Sequence, residues 1–274
     1  MTLTNTYPQD ERSKAKDTPN EVRITKLSKT ELYVQCLMRF LYTVTHDKDA
    51  VRSIVDAAPI LHVSFNAPPT EGTEPQFPTI LPMLGTTADD GHTIYLHGSS
   101  AARLFRLGTG QDSGLPVCIA ATILDGYVLA LTPFNHSCNY RSAVVFGYAT
   151  KVVDADEMML AMKLITNHIA ADRWTNSRTP PTKSELTATG ILRVQIDTAS
   201  VKVRNGGPHD DKKDLKDEAT VSRVWTGVVP VHQIMGEPVA SPDNMVEQVP
   251  ASVKSWIEDT NNMRKDHMIE SMKD

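Results

Sequence analysis

Between Ile60 and Val203 the apolar residues arrive in short bursts rich in Val, Ile, Leu, Thr and Tyr: ILHVSFNA, FPTILPMLGTT, TIYLHGS, PVCIAATIL, GYVLALTPF, SAVVFGYATKVV and GILRVQIDTASVKV. Branched and aromatic side chains fit a pleated, half-buried surface, so each burst predicts a strand. Polar punctuation separates them: the Pro-rich stretch PPTEGTEPQ, then Asp89-Asp90-Gly91, then Asp125-Gly126. Each reads as a turn. Six or seven short strands, with connections too brief for crossover helices, predict an antiparallel barrel or sandwich and argue against a parallel sheet.

Helical spacing breaks the pattern in four places. In HDKDAVRSIVDAAPI, Asp47 or Asp49 is a candidate N-cap, Val51, Ile54 and Val55 share one face, and Pro59 stops the helix. SSAARLFRLGTG starts on serines that can cap, presents Ala101, Leu104 and Phe105 as a buried face, and ends near Gly108. DADEMMLAMKLITNHIAADRW opens with Asp154 and Glu157 at capping-box spacing. Its stripe of Met158, Ala161, Met162, Ile165 and Ile169 predicts core packing. The tail from Val249 onward has helical composition and is expected to lie at the periphery and fray. Between these, GGPHDDKKDLKDEA reads as a solvated loop, and VWTGVVPVHQIMGEPV as one more short structured segment.

Composition narrows the partners. The 274 residues carry a formal charge of -5, which argues against broad adhesion to nucleic acid or anionic lipid. No apolar run reaches the roughly 20 residues of a membrane span, and the first 27 residues lack the apolar core of a secretory signal. They are expected to form a disordered or extended leader on a cytoplasmic protein. Cys36, Cys118 and Cys138 match neither a disulfide framework nor a zinc site. Cys36 and Cys118 are expected as buried small hydrophobes in a reducing compartment.

Three polar patches sit at predicted strand ends. In YLHGSSAAR, residues His97, Gly98, Ser99 and Ser100 precede Arg103. Free N–H groups, hydroxyls and a guanidinium there can hold a phosphate, while capping serines and a surface arginine explain the same residues. In FNHSCNYRSAVVFG, residues Asn139, Tyr140, Arg141 and Ser142 stand ahead of a core strand. They offer bidentate and main-chain donors, or make an ordinary polar turn with a paired arginine. Trp225 and the ILPM segment, Pro82 and Met83 within it, supply apolar walls for a flat ring, or belong to the fold alone. His62, His92, His168, His209 and His232 show no metal-ligand spacing, and none of the common nucleotide or nucleophile motifs is present. His136 and Cys138 lie two residues apart without facing each other, so a thiol nucleophile does not follow.

Taken in order, TILPMLG, TIYLHGSSAARL, PVCIAATILDGYVLAL, FNHSCNYRSAVVFGYATKV and VWTGVVPV resemble the flavin-nucleotide-binding branch of the pyridoxamine 5'-phosphate oxidase-like proteins. Some members of that branch are described as 5-nitroimidazole resistance proteins. The resemblance runs from about Pro59 to Pro238. It implies a mainly β (α+β) fold, a six-stranded antiparallel Greek-key split barrel with peripheral helices, spanning residues 28–238 and followed by a partly helical extension over 239–274. It further implies a homodimer with FMN at the subunit interface and a small-molecule substrate reduced or oxidised there. Carried over by position, Pro82 and Met83 would border the flavin ring, and His97, Gly98, Ser99 and Ser100 would line the ribityl chain and phosphate. Arg103 and Arg141 would neutralise the phosphate, with Asn139, Tyr140 and Ser142 beside them and Trp225 closing the site from the partner. The alternative on the same fold is a non-catalytic flavin or haem binding or carrier protein, with haem held by His97 or His136. An arginine-rich C-terminal phosphate motif is missing, with only Arg223 ahead of Trp225, so pyridoxamine phosphate is not the expected substrate.

Overall fold

In a computed structural model, which describes residues 43–45, 47–67, 77–108 and 113–273, the chain forms eight strands. They are β1 (Thr43–Thr45), β2 (Leu61–Phe65), β3 (Thr79–Thr87), β4 (Thr93–Ser99), β5 (Leu115–Leu129), β6 (Ser137–Lys151), β7 (Thr189–Arg204) and β8 (Gly227–Pro230). The sheet runs β1-β7-β4-β3-β2-β5-β6, and pairing of β6 with β7 closes strands β2 to β7 into a six-stranded antiparallel barrel. The meander β2-β3-β4 is followed by β5 returning beside β2, which is the Greek-key arrangement. β1 extends β7 at Val201 to Val203, and β8 adds to β5 at Gly126 to Leu129. The leader 1–27, the segment from Ser28 to Tyr42 with Cys36, and the turn PPTEGTEPQ lie outside the described residues.

Closure explains the core. Alternate residues of each strand point inward, and Val63, Ile94, Leu96, Ile119, Val145 and Val194 are buried there. Helix α1 (Lys48–Ala57) covers one end of the barrel with Val51, Ile54 and Val55, capped by the Asp47 side chain as expected. Helix α3 (Ala155–Ile169) starts on the Asp154 cap and packs through Ala161 and Ile165 against Tyr95 and Ile191. Helix α4 (Lys183–Ala188) carries a capping box between Thr182 and Glu185.

Five expectations change. Asp125-Gly126 does not turn the chain: β5 runs straight through it as one 15-residue strand with a register shift between Leu124 and Gly126. The extra residue is a bulge. Asp125 points into the barrel end and Gly126 lies under β8, where a Cβ would come within 2.9 Å of Val228. Strand β6 begins at Ser137, so Asn139 to Ser142 are strand residues rather than a loop at its mouth. Helix α2 is only Arg103–Leu107, with no side-chain cap; Leu104 and Phe105 are buried, but Ala101 precedes the helix and is exposed. Cys118 is half-buried on the outer face of β5.

The tail does not fray at its end. Helix α6 (Ala251–Glu270) buries Met268, and Ser271 beyond it is buried as well. The carbonyl of Ser271 accepts from the Asn139 side chain at 3.0 Å and from the Gly206 N–H at 2.9 Å. Between β7 and β8, the short helix α5 (Glu218–Val221) sits on an Asp217 cap. Further along the charged loop before it, Asp210 accepts the Leu131 N–H at 2.9 Å.

Candidate functional site

The end of β4 builds a compact polar turn. His97, Gly98 and Ser99 pair with Ile191, Gly190 and Thr189 of β7. Gly98 and Gly190 are required by Phe105, whose ring would lie 2.5 Å and 2.4 Å from a Cβ at the two positions. The ring therefore packs across both backbones and anchors α2 over the strand ends. Ser100 donates its N–H to Ala188 at 3.0 Å and its hydroxyl to Thr187 at 2.9 Å, while Ser99 Oγ accepts from the Ala101 N–H at 3.3 Å. Arg103 emerges from this turn without a hydrogen bond or ion pair among the described residues. Leu84 of β3 pairs with His97, so continuing the antiparallel register sets exposed Pro82 opposite Ser99. Met83 turns its side chain into the core and leaves only its main chain to that side.

A cleft of about 310 Å³ adjoins the turn, lined by Leu84, His97, Met162, Ile165, Ile169 and Trp174, with the Arg178–Glu185 ion pair on its rim. Part of the His97 ring meets solvent. The surrounding groups still desolvate it and hold its pKa below the ordinary histidine value, which favours the neutral ring that a metal or a hydrogen-bond donor needs.

The second patch divides. Successive residues of a strand face opposite sides, so Asn139 and Arg141 point inward while Tyr140 and Ser142 point out. Asn139 is fully buried: its amide donates to Gly206 O at 3.1 Å and Ser271 O at 3.0 Å, and its oxygen accepts from Arg204. Arg141 is clamped by the bulge residue Asp125 through two bonds of 2.8 Å each. Its remaining nitrogen reaches His267 Nδ1 of α6 at 3.4 Å. On the outer face, Ser142 donates to Lys202 O at 3.2 Å, and the Lys202 ammonium sits 6.0 Å from the Tyr140 ring centroid.

One chain does not bring the two patches together. His97 pairs with Ile191 and Ser142 with Lys202, which lie eleven residues apart on β7, about 36 Å of extended strand. What connects them on the surface is an apolar sheet face. The register lines up Pro82, His62, Ala120 and Val144 in one row and Ile80, Ser64, Cys118 and Phe146 in the next. Ile80 is 60% exposed, Phe146 48% and Tyr148 43%. Trp225, 64% exposed, stands just before β8 near exposed Tyr127 and Val229. His136 accepts the Ala130 N–H on Nδ1 at 3.3 Å, and Cys138 is half-buried two residues away. Among the described residues no three His, Cys, Asp or Glu side chains gather as a metal set, and no helix is long and apolar enough to cross a membrane.

Residues 47–203, more than half of the chain, match the family model described as Pyridoxamine 5'-phosphate oxidase. The chain belongs to the pyridoxamine 5'-phosphate oxidase family. Among solved structures, the flavocytochrome Anf3 from Azotobacter vinelandii is 28% identical with a TM-score of 0.65, covering 78% of this chain and 91% of its own. The FAD and haem binding protein from Mycobacterium smegmatis is 26% identical with a TM-score of 0.66, covering 78% of this chain and 97% of its own. No curated protein matches. Family membership fits the barrel, and the match spans the β4 turn, the outer sheet face and most of β7. It ends before Trp225 and α6, so those elements are outside what this family model describes.

Proposed function

We propose that this protein binds a flavin, FMN, at the β4 turn and works as a cytoplasmic homodimeric oxidoreductase on a small electrophilic substrate. The observation that carries the reading is the turn itself. Arg103 has no ion pair among the described residues, Ser99 and Ser100 precede it by four and three residues with the Ser100 hydroxyl donating to Thr187 O, and Phe105 packs across Gly98 and Gly190 to hold the backbone there. A phosphate monoester needs such a set of charged and neutral donors. The flavin and FAD proteins among its structural relatives support the same ligand class.

The outer sheet face supports the dimer. A contiguous apolar surface of Ile80, Cys118, Val144, Phe146 and Tyr148 is costly to leave in water. A second copy laid on it would bring Tyr140, Ser142 and Trp225 of one chain toward the β4 turn of the other, which closes the 36 Å gap that one chain leaves. Bound flavin supplies hydride or single-electron transfer at its ring. The protein's part is to hold the phosphate with Arg103, Ser99 and Ser100, to border the ring with Pro82 and the Met83 main chain, and to exclude water with the partner's apolar face. Arg141 is not part of this set, because its charge is already taken by Asp125.

The test is a spectrum and a titration. The purified chain should show flavin absorbance, and FMN should quench on binding to protein stripped of it. Arg103→Ala should weaken FMN by about 10- to 100-fold, from a charge-assisted bond of about 1.5–3 kcal/mol. Unchanged affinity removes the β4 turn as the phosphate site; tighter binding of FAD than of FMN replaces the cofactor but keeps the site.

One observation favours a second reading. The cleft beside His97 is apolar, contains Trp174 and two isoleucines, and presents a desolvated imidazole at its edge. Those are the features of a haem pocket with one axial histidine, and both structural relatives carry haem or a cytochrome in their names. A Soret band that disappears in His97→Ala, while flavin remains, would establish it.

A further inference from the structure

A second cavity lies at the other end of the barrel, away from the β4 turn. It measures about 240 Å³ and is enclosed by the end of α1, the bulge of β5, the segment after β8, and one face of α6. Its walls are apolar: Ala57, Pro59, Ile123, Leu124, Val231 and Met263. Its polar groups include Asp125, Arg141, Arg264, His232, Gln233 and His267.

The charges among them do not cancel. Asp125, with only 3% of its side chain exposed, and Arg141, with 20%, neutralise one another through their two-bond clamp. A guanidinium only donates, so His267 Nδ1 accepts from Arg141 and its ring is oriented by that contact. Arg264 has no hydrogen bond or ion pair among the described residues, and it is half-buried. A half-buried arginine without a partner, over an apolar floor and beside two imidazoles, is a costly arrangement unless an anion meets it.

We propose that this cleft is a separate ligand site for a small organic monocarboxylate. Its carboxylate pairs with Arg264, with His232 and His267 as flanking donors, and its hydrocarbon body lies on Ile123, Leu124, Val231 and Met263. A single negative charge matches the single uncompensated positive charge. A phosphate dianion would carry one charge too many and would face the Asp125 carboxylate. The volume equals about eight waters at ~30 Å³ each, which suits a benzoate or a short branched acid. Three parts of the chain distant in sequence, β5, the post-β8 segment and α6, contribute to one pocket, so an occupied site also fastens α6 to the barrel.

The inference stands apart from the flavin reading, and its test keeps the two apart. Sodium benzoate is titrated into the full chain by calorimetry, with methyl and imidazole NMR signals followed in parallel. Benzoate should saturate one site in the range of about 0.1–1 mM and shift the signals of Met263 and His267, leaving those of Met162 and His97 in place. Arg264→Gln should weaken it by about 10- to 100-fold while flavin absorbance stays unchanged. Benzamide, of the same shape without charge, should not compete. The proposal is overturned if benzamide binds as well as benzoate, if inorganic phosphate displaces it, if the shifted signals are those of His97 and Met162, or if no saturation occurs. Because the NMR arm uses the unaltered chain, it decides the matter even if Arg264→Gln misfolds.

Discussion

Asn139 separates a structural role from a cofactor role more sharply than any other residue, and Asn139→Ala is the substitution that tests it. Its side chain is fully buried and makes three bonds: to Gly206 O, to Ser271 O, and from Arg204. The two neutral bonds are worth about 1 kcal/mol each and the one from a guanidinium about 1.5–3 kcal/mol. Some of this survives truncation. Gly206 O keeps a bond from Arg204 at 3.3 Å, Ser271 O keeps the Gly206 N–H, and Arg204 keeps Gly207 O at 2.9 Å. The expected net loss is therefore about 3 kcal/mol, well above the roughly 0.5 kcal/mol of an ordinary surface change. Urea unfolding should show a lower midpoint with the slope unchanged, and hydrogen exchange should quicken from Met268 to Met272, where the end of α6 is released. FMN affinity of the folded variant should stay within about twofold of the parent. If instead stability falls by less than about 1 kcal/mol and flavin binding collapses, Asn139 is a cofactor ligand and the lock on α6 is elsewhere.

Three further outcomes follow from the same geometry. Phe146→Glu places a charge in the middle of the exposed sheet face, so light scattering should find a monomer with weakened flavin binding; a persisting dimer assigns the interface to another surface. Gly190→Ala should cost about 1–3 kcal/mol, since its Cβ would stand 2.4 Å from the Phe105 ring, and a melting temperature equal to the parent's would mean the ring moves aside freely. His168 is held below the ordinary histidine pKa by burial, with Asp56 acting the other way. The unfolded chain then takes the proton first, so stability is whole above about pH 6.5 and falls as pH drops through that value toward the lower folded one. Denaturation at about pH 7.5 and about pH 5.5 should show this loss, smaller in His168→Gln, and an equal loss in both proteins would assign it to other groups.

The barrel was legible because its signal is local. A strand declares itself through alternation over a few residues, and β2, β3, β4 and β7 each fall on the burst that predicted them. What misled is where one local pattern serves two structures. Asp-Gly makes a turn or a bulge equally well, and the choice between them was made by two partners far away in sequence: β8, which pairs with β5 across Gly126, and Arg141, which holds Asp125. The docking of α6 was hidden for the same reason, since Asn139 and Ser271 lie 132 residues apart.

The error at the bulge propagated to the site. Once Asp125 is a turn residue and β6 starts at Ala143, Asn139 to Ser142 look like one loop whose four side chains share a ligand. With β6 starting at Ser137, alternation alone sends Asn139 and Arg141 inward and Tyr140 and Ser142 outward. The two arginines that were equal as sequence then differ in kind. Arg103 follows a turn and forms no ion pair among the described residues, so its charge is available to a ligand. Arg141 has a carboxylate built against it by an extra residue in the neighbouring strand, so its charge is spent on the fold and only one nitrogen is left to orient His267. A phosphate site is therefore to be sought at an arginine whose charge the fold has not already used, and among the described residues Arg103 at one end of the barrel and Arg264 at the other form no ion pair.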